Sequence, residues 1–424
     1  MSDRTFLDEL NYSNQKAVLV GITLPSDVII GDDPLAELAS LADTAGLDVV
    51  GRVYQKRQHI DASTYCGKGK AEEIALHVKA EGAKLVVFDN ELRPGQQRNL
   101  EEVVGVPVID RTELILAIFA NHAQTRQAKV QVQIAQLDYQ LPRLKNLWTH
   151  LERQRGGMGA VGGAGERQIE TDRRLLNKRI DRMKDELTEI LKRREVEVSR
   201  RKDLFQIAIV GYTNAGKSTL MNALTSEGVL AVDRLFATLD TRTCVWKLPD
   251  HKVLLSDTVG FIHNLPHRLV ASFNATLEEV KHADLLLHVV DASHQSAESM
   301  IKAVNDVLKE IGADDRRVLM VFNKIDQVKN HAELEILHRT HHDYVDISAM
   351  RATGLKELAA RVQKIVEEGE TALDWTFSAA NGKLLAYLKQ HGKILTMDYE
   401  DNDVRVKALL EPRFVKAAMD MRDA

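Results

Sequence analysis

The residues of this chain best suited to chemistry form a glycine-containing loop, GYTNAGKS, at positions 211–218. An apolar run, FQIAIV, precedes the loop, and a segment of helical character, TLMNAL, follows it. Gly211 and Gly216 allow backbone N–H groups to curl around phosphate oxygens, and Lys217 can reach the terminal phosphates. The Ser218 hydroxyl can ligate Mg²⁺ at the start of the helix. This strand–loop–helix order predicts the phosphate-binding loop of a nucleotide triphosphatase.

A second motif, NKID at 323–326, indicates which base the nucleotide has. The Asp326 carboxylate can accept hydrogen bonds from the ring N–H and the exocyclic amine of guanine, a pair of donors that adenine lacks. Adenine would therefore leave a buried carboxylate unpaired, which is costly. Asn323 is expected to steady the loop and Lys324 to lie along the base. The motif predicts GTP and GDP as ligands.

A threonine between the phosphate loop and the next motif, DTVG, is expected to act as a switch residue. Its hydroxyl would complete the Mg²⁺ shell, and its backbone would sense the γ-phosphate. Within RLFATLD, at 234–240, we choose Thr238 for this role. Thr241 and Thr243 lie close by in the sequence and compete for the assignment.

DTVG, at 257–260, and ISAM, at 347–350, complete one predicted site. Asp257 is expected to bind Mg²⁺ through water and the Gly260 N–H to contact the γ-phosphate, while ISAM fits a short loop that closes over guanine. Catalytic roles are predicted for Lys217, Thr238 and Gly260, and direct Mg²⁺ ligation for Ser218 and Thr238. The predicted nucleotide-binding residues are Gly211, Tyr212, Thr213, Asn214, Ala215, Gly216, Lys217, Ser218, Phe236, Ala237, Thr238, Leu239, Asp240, Asp257, Thr258, Val259, Gly260, Asn323, Lys324, Ile325, Asp326, Ser348, Ala349 and Met350.

The residue after DTVG is Phe261, where Ras-type enzymes place a glutamine that orients the attacking water. A phenyl ring neither donates nor accepts a hydrogen bond, so we expect slow hydrolysis by the isolated chain. The catalytic group would then come from a partner, a backbone contact or a cation. Asn214 either helps to hold a monovalent cation such as K⁺ against the phosphates or only stabilises the loop; the sequence leaves both open.

The composition is that of a globular protein, with 44% apolar and 28% charged residues over 424 positions, a length that suggests about three domains. Its two cysteines favour a reducing compartment. The first residues lack the basic flank and apolar core of a signal peptide. No apolar stretch approaches the ~20 residues of a membrane span. We therefore expect a cytoplasmic protein without a membrane span, monomeric when free.

Residues 16–110 alternate short apolar runs with helical patterns, which predicts a parallel α/β layer. Within it, CGKGKAEEI (66–74) is a Gly/Lys loop that leads into a helix. It could hold a phosphate or an RNA backbone. Because it lacks the fuller phosphate-loop pattern, an ordinary strand–helix turn is the favoured interpretation.

From 112 to 202 the apolar residues follow a coiled-coil spacing on two successive arms, which predicts an antiparallel helical hairpin. Pro142 should kink or break the first arm. The seam residues are Val130, Ile134, Leu137, Leu141, Leu144, Trp148 and Leu151 on one arm and Leu176, Ile180, Met183, Leu187 and Ile190 on the other. Residues 143–202 contain 17 Lys/Arg and 10 Asp/Glu, so this region is at +7 in a chain of net charge −5. Such asymmetry indicates a polyanionic partner.

The tip between the arms, GGMGAVGGAGER (156–167), has six glycines and is too flexible to form a core. An ordinary hairpin needs only 2–5 connecting residues. We therefore favour a probe for nucleic acid over a passive linker. The predicted RNA-contact residues flank the tip: Arg153, Arg155, Arg167, Arg173 and Arg174.

The sequence thus predicts four domains. An α/β domain (1–111) and a helical, coiled-coil hairpin with a Gly-rich tip (112–203) precede a P-loop GTP-binding domain with a parallel sheet (204–370). A small α+β domain (371–424) follows, for which the sequence predicts a helix, two strands and a short terminal helix. No motif in this domain indicates a chemical function.

Several of these segments together resemble the HflX family of translational GTPases: GYTNAGKSTL, LFATLD, DTVGFIHNLPH, NKID and the upstream WTHLERQRGGMGAVGGAGERQIETDRR. The Gly-rich segment and DTVGFI are far more diagnostic than the phosphate loop. The resemblance covers nearly the whole chain, including an HflX-type GTP-binding domain. Family members often have GLRGPGE in the tip, whereas this chain has GAVGGAGE and so lacks an Arg and a Pro there.

The resemblance implies binding to the large ribosomal subunit and its RNA, with the tip directed toward the peptidyl-transferase region, and GTP-dependent splitting or rescue of stalled ribosomes. ATP binding by the amino-terminal region is suggested for some relatives, but no clear ATP motif occurs here. A large-subunit assembly GTPase is the alternative. A phosphotransferase fits less well, because the sequence shows no motif for a second, acceptor-binding site. An RNA-binding protein with an inactive nucleotide site also fits less well, because Lys217, Ser218 and Asp257 are all present.

Overall fold

A computed structural model describes residues 12–25, 27, 31, 33–143, 164–199, 204–225, 236, 242–262, 278–400 and 402–422. The chain divides into two compact units, Met1–Trp246 with Leu254–Ala352 and Lys247–Val253 with Thr353–Ala424. In the described ranges, no helix is both long and apolar enough to cross a membrane.

The first unit begins with a four-stranded parallel sheet of order β2-β1-β3-β4. Its strands are β1 (Lys16–Thr23), β2 (Asp48–Lys56), β3 (Leu85–Phe88) and β4 (Val108–Asp110). The helices that follow or connect them are α1 (Ala36–Thr44), α2 (Lys68–Glu81), α3 (Pro94–Val104) and α4 (Arg111–His122). Both faces of the sheet are covered, since Leu19 belongs to one buried cluster and Val18 to another. The predicted α/β layer is confirmed.

Two long helices form the predicted antiparallel hairpin: α5 (Arg126–Gln140) and α6 (Ala164–Ser199). Their seam is a buried cluster of Val130, Ile134, Leu137, Ile180 and Met183, with Leu176 and Leu187 partly buried beside it. A 3₁₀ turn, Leu141–Arg143, follows α5 at the proline. The other predicted seam residues of the first arm, Leu144, Trp148 and Leu151, lie outside the described residues.

The second sheet of this unit has six strands in the order β10-β9-β8-β5-β7-β6. They are β5 (Phe205–Gly211), β6 (Arg242–Lys247), β7 (Lys252–Asp257), β8 (Leu285–Asp291), β9 (Val318–Asn323) and β10 (Tyr344–Asp346). The helices α7 (Lys217–Thr225), α8 (Ala297–Glu310) and α9 (His331–Thr340) lie between them in the chain. Strands β5, β8, β9 and β10 are parallel neighbours, so the loops after them gather at one edge.

The second unit contains a three-stranded antiparallel sheet of order β11-β13-β12. Its elements are α10 (Leu355–Glu368), β11 (Thr371–Ser378), α11 (Gly382–His391), β12 (Gly392–Glu400), β13 (Asp403–Leu410) and α12 (Pro412–Arg422). The sequence analysis expected only two strands here and missed β11. Leu373 and Phe377 of β11 point into the core on one face of the strand. Such alternation is the period-2 signal of a half-buried strand.

Candidate functional site

The phosphate loop requires glycine at two positions. Gly211 has φ +152°, and a Cβ there would lie 2.2 Å from the carbonyl oxygen of Val289. Gly216 has φ +95°, and a Cβ there would lie 2.2 Å from Nδ2 of Asn323. Both contacts are too short for any Cβ, and both φ angles favour glycine. The loop is therefore packed against the ends of β8 and β9, while α7 begins at Lys217.

Lys217 is a buried cation held by the loop that it follows. Its Nζ donates to the carbonyl oxygens of Gly211 at 3.1 Å and Tyr212 at 2.8 Å. Burial lowers the pKa of this amine to about 8, although the carboxylate of Asp257 partly opposes the shift. A phosphate bound at this site would place negative charge beside the buried ammonium and stabilise its charged form.

Ser218 and Asp257 bring oxygen atoms together beside the first turn of α7. The Ser218 hydroxyl donates to Oδ2 of Asp257 at 2.8 Å, and Asp257 is fully buried at the end of β7. Hydroxyl and carboxylate oxygens are the hard ligands that Mg²⁺ prefers. These atoms therefore fit the predicted metal site. Thr238, with Ala237, Leu239 and Asp240, lies outside the described residues.

The DTVG segment packs directly on the phosphate loop. The Thr213 N–H donates to the carbonyl of Phe261 at 2.7 Å, and the Phe261 N–H donates to the carbonyl of Gly211 at 3.2 Å. A Cβ on Gly260 would lie 2.7 Å from Cγ2 of Thr213 and 3.0 Å from Nζ of Lys217, so a side chain there would clash with Thr213 and crowd the lysine. The Phe261 ring is buried in the core and offers no polar atom to a water molecule.

Asn323 ties together the two loops on which base recognition is predicted to depend. Its Nδ2 donates to the carbonyl of Ala215 at 2.8 Å, and its Oδ1 accepts from the N–H of Ala349 at 2.9 Å. One buried amide therefore fixes the phosphate loop and the ISAM loop to the end of β9. Lys324, the next residue, has φ +62°, which turns the chain sharply after the strand.

Two charged residues that the sequence analysis did not single out contact the NKID motif. Nζ of Lys324 lies 2.7 Å from Oδ2 of Asp291, the last residue of β8. Nε of Arg351 lies 3.1 Å from Oδ2 of Asp326, the predicted guanine-binding carboxylate. Their sequence positions give a usable signal, since Asp291 ends the strand beside NKID and Arg351 follows ISAM directly. The contacts themselves depend on the tertiary fold.

The α/β layer also reaches the site. The ring of Phe236, from the predicted switch segment, packs edge-on against Phe119 of α4 with centroids 4.7 Å apart. Its side chain is buried, and its backbone has φ +56°. The hydroxyl of Tyr212, in the phosphate loop, donates to Oε1 of Glu37 on α1. No local motif marks Phe119 or Glu37, so sequence reasoning missed both.

The predicted RNA-contact residues divide into described and undescribed positions. Arg173 and Arg174 are exposed on α6. Arg167 belongs to α6, but its side chain lies outside the described residues, as do Arg153 and Arg155 entirely.

Three family models match successive parts of the chain. "GTP-binding GTPase N-terminal" matches residues 32–120, "GTP-binding GTPase Middle Region" matches 122–201, and "50S ribosome-binding GTPase" matches 206–324. A GTPase HflX of Magnetococcus marinus is 45% identical over 372 residues, which cover 87% of this chain and 85% of that protein. A GTPase HflX of Lacrimispora saccharolytica is 40% identical over 424 residues, 99% of each. The chain belongs to the HflX family of GTPases.

Membership of the HflX family confirms the resemblance, and with it a P-loop GTPase fold and GTP hydrolysis as the activity. A solved structure, a GTP-binding protein from Sulfolobus solfataricus in complex with GDP, aligns at 25% identity and a TM-score of 0.44. The alignment covers 83% of this chain and 98% of that one.

We predict that Asp326→Asn changes the nucleotide that this HflX-family protein prefers. An asparagine offers one acceptor and one donor where guanine presents two donors. Xanthine has an oxygen at position 2 and matches that pair. GTP affinity should fall at least tenfold, about 1.4 kcal/mol, while xanthosine triphosphate becomes the tighter ligand. Equilibrium binding of both nucleotides measures the change.

Asp314→Asn is the matched control for this prediction. Asp314 is exposed on the loop before β9, whereas Asp326 follows the other end of the same strand. The control should bind GTP like the parent protein. Unchanged GTP affinity in Asp326→Asn would remove this carboxylate from the base site.

We predict that nucleotide affinity decreases in alkaline solution because of Lys217. In the free protein its pKa is about 8, whereas a bound phosphate raises that pKa, so the complex holds more protons. The dissociation constant for GTP should be flat below about pH 7 and rise by up to about tenfold per pH unit above about pH 8. Titrations across this range measure it.

Lys217→Ala separates this effect from the ionisation of guanine itself, which also loses its N1 proton in alkali. The variant should bind weakly and keep only the shallower dependence due to the base. A parent protein with the same shallow dependence as the variant would show that Lys217 does not titrate on binding.

Proposed function

We propose that this chain binds the large ribosomal subunit and splits or rescues stalled ribosomes in a GTP-dependent manner. The observation that supports this most directly is that one compact unit contains both the GTPase site and a long helical arm, several of whose exposed cations form no ion pair with the described residues. A nucleotide switch joined to an arm of this kind is suited to a large polyanionic partner. The matched "50S ribosome-binding GTPase" model supports the same partner.

In the GTPase reaction, Lys217 would contact the β- and γ-phosphates while the loop carbonyls of Gly211 and Tyr212 orient its ammonium group. The N–H of Gly260 would meet the γ-phosphate, and Asp326 would hold guanine. P-loop GTPases generally use Mg²⁺, which when bound neutralises the charge that develops on the phosphate oxygens. Ser218, Asp257 through water, and Thr238 would hold it. K⁺ at Asn214 is part of the proposal as a second cation.

Phe261 makes the proposed reaction dependent on a partner. Its ring is buried and has no group with which to orient water. The isolated chain should therefore hydrolyse GTP slowly, and the large subunit should supply or order the missing group. Such an arrangement prevents futile hydrolysis away from the ribosome.

The second arm of the hairpin has the length and charge that an RNA probe needs. Helix α6 has 36 residues, so it spans about 54 Å at 1.5 Å per residue. The half of the described helix nearer the tip carries four exposed cations: Arg173, Arg174, Lys178 and Arg179. None of them forms an ion pair within the described part of the chain. Farther along, Lys192 pairs with Glu189. Unpaired cations near the tip are available to phosphates.

Sedimentation of ribosomes in the presence of the protein tests the proposal. With GTP or a non-hydrolysable analogue, the protein should co-sediment with large subunits and convert whole ribosomes to subunits; with GDP it should not. Large subunits should accelerate hydrolysis at least tenfold, about 1.4 kcal/mol of barrier. Fast turnover without ribosomes would contradict partner activation. Association only with precursor particles would instead indicate an assembly GTPase.

We predict that Arg173→Ala with Arg174→Ala weakens ribosome binding and flattens its salt dependence. An arginine that neutralises one RNA phosphate releases counterions, so losing each arginine should lower the magnitude of the slope of log affinity against log salt by about 0.7–0.9, and losing both by about 1.4–1.8. Binding measured across a series of KCl concentrations gives the slope.

The paired control for this prediction is Lys192→Ala with Arg193→Ala, which removes two cations from the half of the same helix farther from the tip. GTP affinity should be unchanged in both double variants, because neither removes a predicted nucleotide ligand. Equal slopes for the two variants and the parent protein would make the arm a spacer.

A further inference from the structure

The α/β layer contacts the phosphate loop through a chain of polar side chains. The Tyr212 hydroxyl donates to Oε1 of Glu37, 2.5 Å away. The other oxygen of that carboxylate, Oε2, lies 2.7 Å from Nη2 of Arg111, whose Nη1 lies 2.6 Å from Oδ1 of Asp89. Because each oxygen of Glu37 has its own partner, the carboxylate is fixed in orientation before any nucleotide binds.

We infer that Glu37 is a positioning residue for GTP binding and acts on the phosphate loop through Tyr212. Tyr212 is the second residue of that loop, and its carbonyl accepts from Nζ of Lys217 at 2.8 Å. Its neighbour Thr213 is bonded through its N–H to the DTVG segment. A side chain anchored outside the GTPase sheet thus fixes a backbone carbonyl that orients the phosphate-binding lysine.

Charge and burial make this anchor stronger than an ordinary surface contact. The Arg111 side chain is only 7% exposed. Although burial opposes its charge, Glu37 and Asp89 hold the pKa of Arg111 above its usual value. Hydrogen bonds to charged groups are about twice as strong as neutral ones. The hydroxyl of Tyr212 therefore meets a carboxylate whose other oxygen is held by Arg111.

The same helix that begins with Arg111 also carries Phe119, which packs on Phe236 of the predicted switch segment. Helix α4 consequently supports the phosphate loop through Glu37 and contacts the switch segment directly. A loop held in its binding geometry before GTP arrives loses less entropy on binding. The anchor should therefore act on nucleotide affinity more than on turnover.

Tyr212→Phe and Glu37→Gln test the inference. The first removes one hydroxyl, and the second keeps the shape but removes the charge. Each should raise the dissociation constants of GTP and GDP by about three- to tenfold, a change of the size that follows loss of a charge-assisted hydrogen bond. Turnover at saturating GTP should change less than twofold. The double variant should bind nucleotide no more weakly than the weaker-binding single variant, because both changes act on the same hydrogen bond.

Tyr54→Phe is the matched control. Tyr54 is a residue of β2 packed beside the same core, and its buried hydroxyl has no hydrogen-bond partner among the described residues. Its loss should leave both dissociation constants within experimental error.

Three results would overturn the inference: parent-like affinity in Tyr212→Phe, effects that multiply in the double variant, or an equal effect in Tyr54→Phe. A lower melting temperature with unchanged affinity well below it would assign the pair to stability alone. Since Tyr212→Phe loses a single oxygen atom, it decides the question even if Glu37→Gln, which also weakens the Arg111 pair, does not fold.

Discussion

A buried ammonium group is the constraint on which the nucleotide site depends. Taking Lys217 out of water is costly, and the loop offsets that cost with two carbonyls and the nearby carboxylate of Asp257. The two carbonyls and the carboxylate can all lie near Nζ of Lys217 only if the carboxyl ends of β5 and β7 are close together in the sheet. Packing Gly260 against Nζ adds a steric condition to the electrostatic one. The site is thus built before the phosphate arrives, which is how P-loop enzymes favour charge without reorganisation.

The GTPase sheet shares its core with the α/β layer. One buried cluster includes Leu19 and Phe119 of the first sheet and its helices, and Val210 and Leu286 of the second. Phe236, from the predicted switch segment, and Phe261, which follows DTVG, belong to the same cluster. Because protein cores resist deformation, Phe236 cannot move without disturbing its neighbours in this cluster. The α/β layer and the GTPase sheet therefore pack as one core.

The hairpin is fixed to that layer at the turn that follows α5. Arg143, in the 3₁₀ turn after α5, donates to the carbonyl of Leu92 at 2.7 Å and contacts Oδ2 of Asp110 at 3.2 Å. Its guanidinium lies over the ring of Tyr139. Breaking a buried ion pair of this kind would leave an uncompensated charge, so the turn is held firmly.

The sequence by itself determined the local elements. Apolar runs predicted the strands, a heptad seam predicted α5 against α6, and the GYTNAGKS, DTVG and NKID motifs predicted a guanine-nucleotide site on a P-loop fold. β11 was missed, although Leu373 and Phe377 give it a period-2 signal. Only the tertiary structure decided that Arg351 contacts Asp326, that Phe119 meets Phe236, and that Glu37 holds Tyr212. Those pairs are far apart in the chain or obey no fixed spacing. Contacts of this kind are set by how whole layers pack, and no local pattern encodes them.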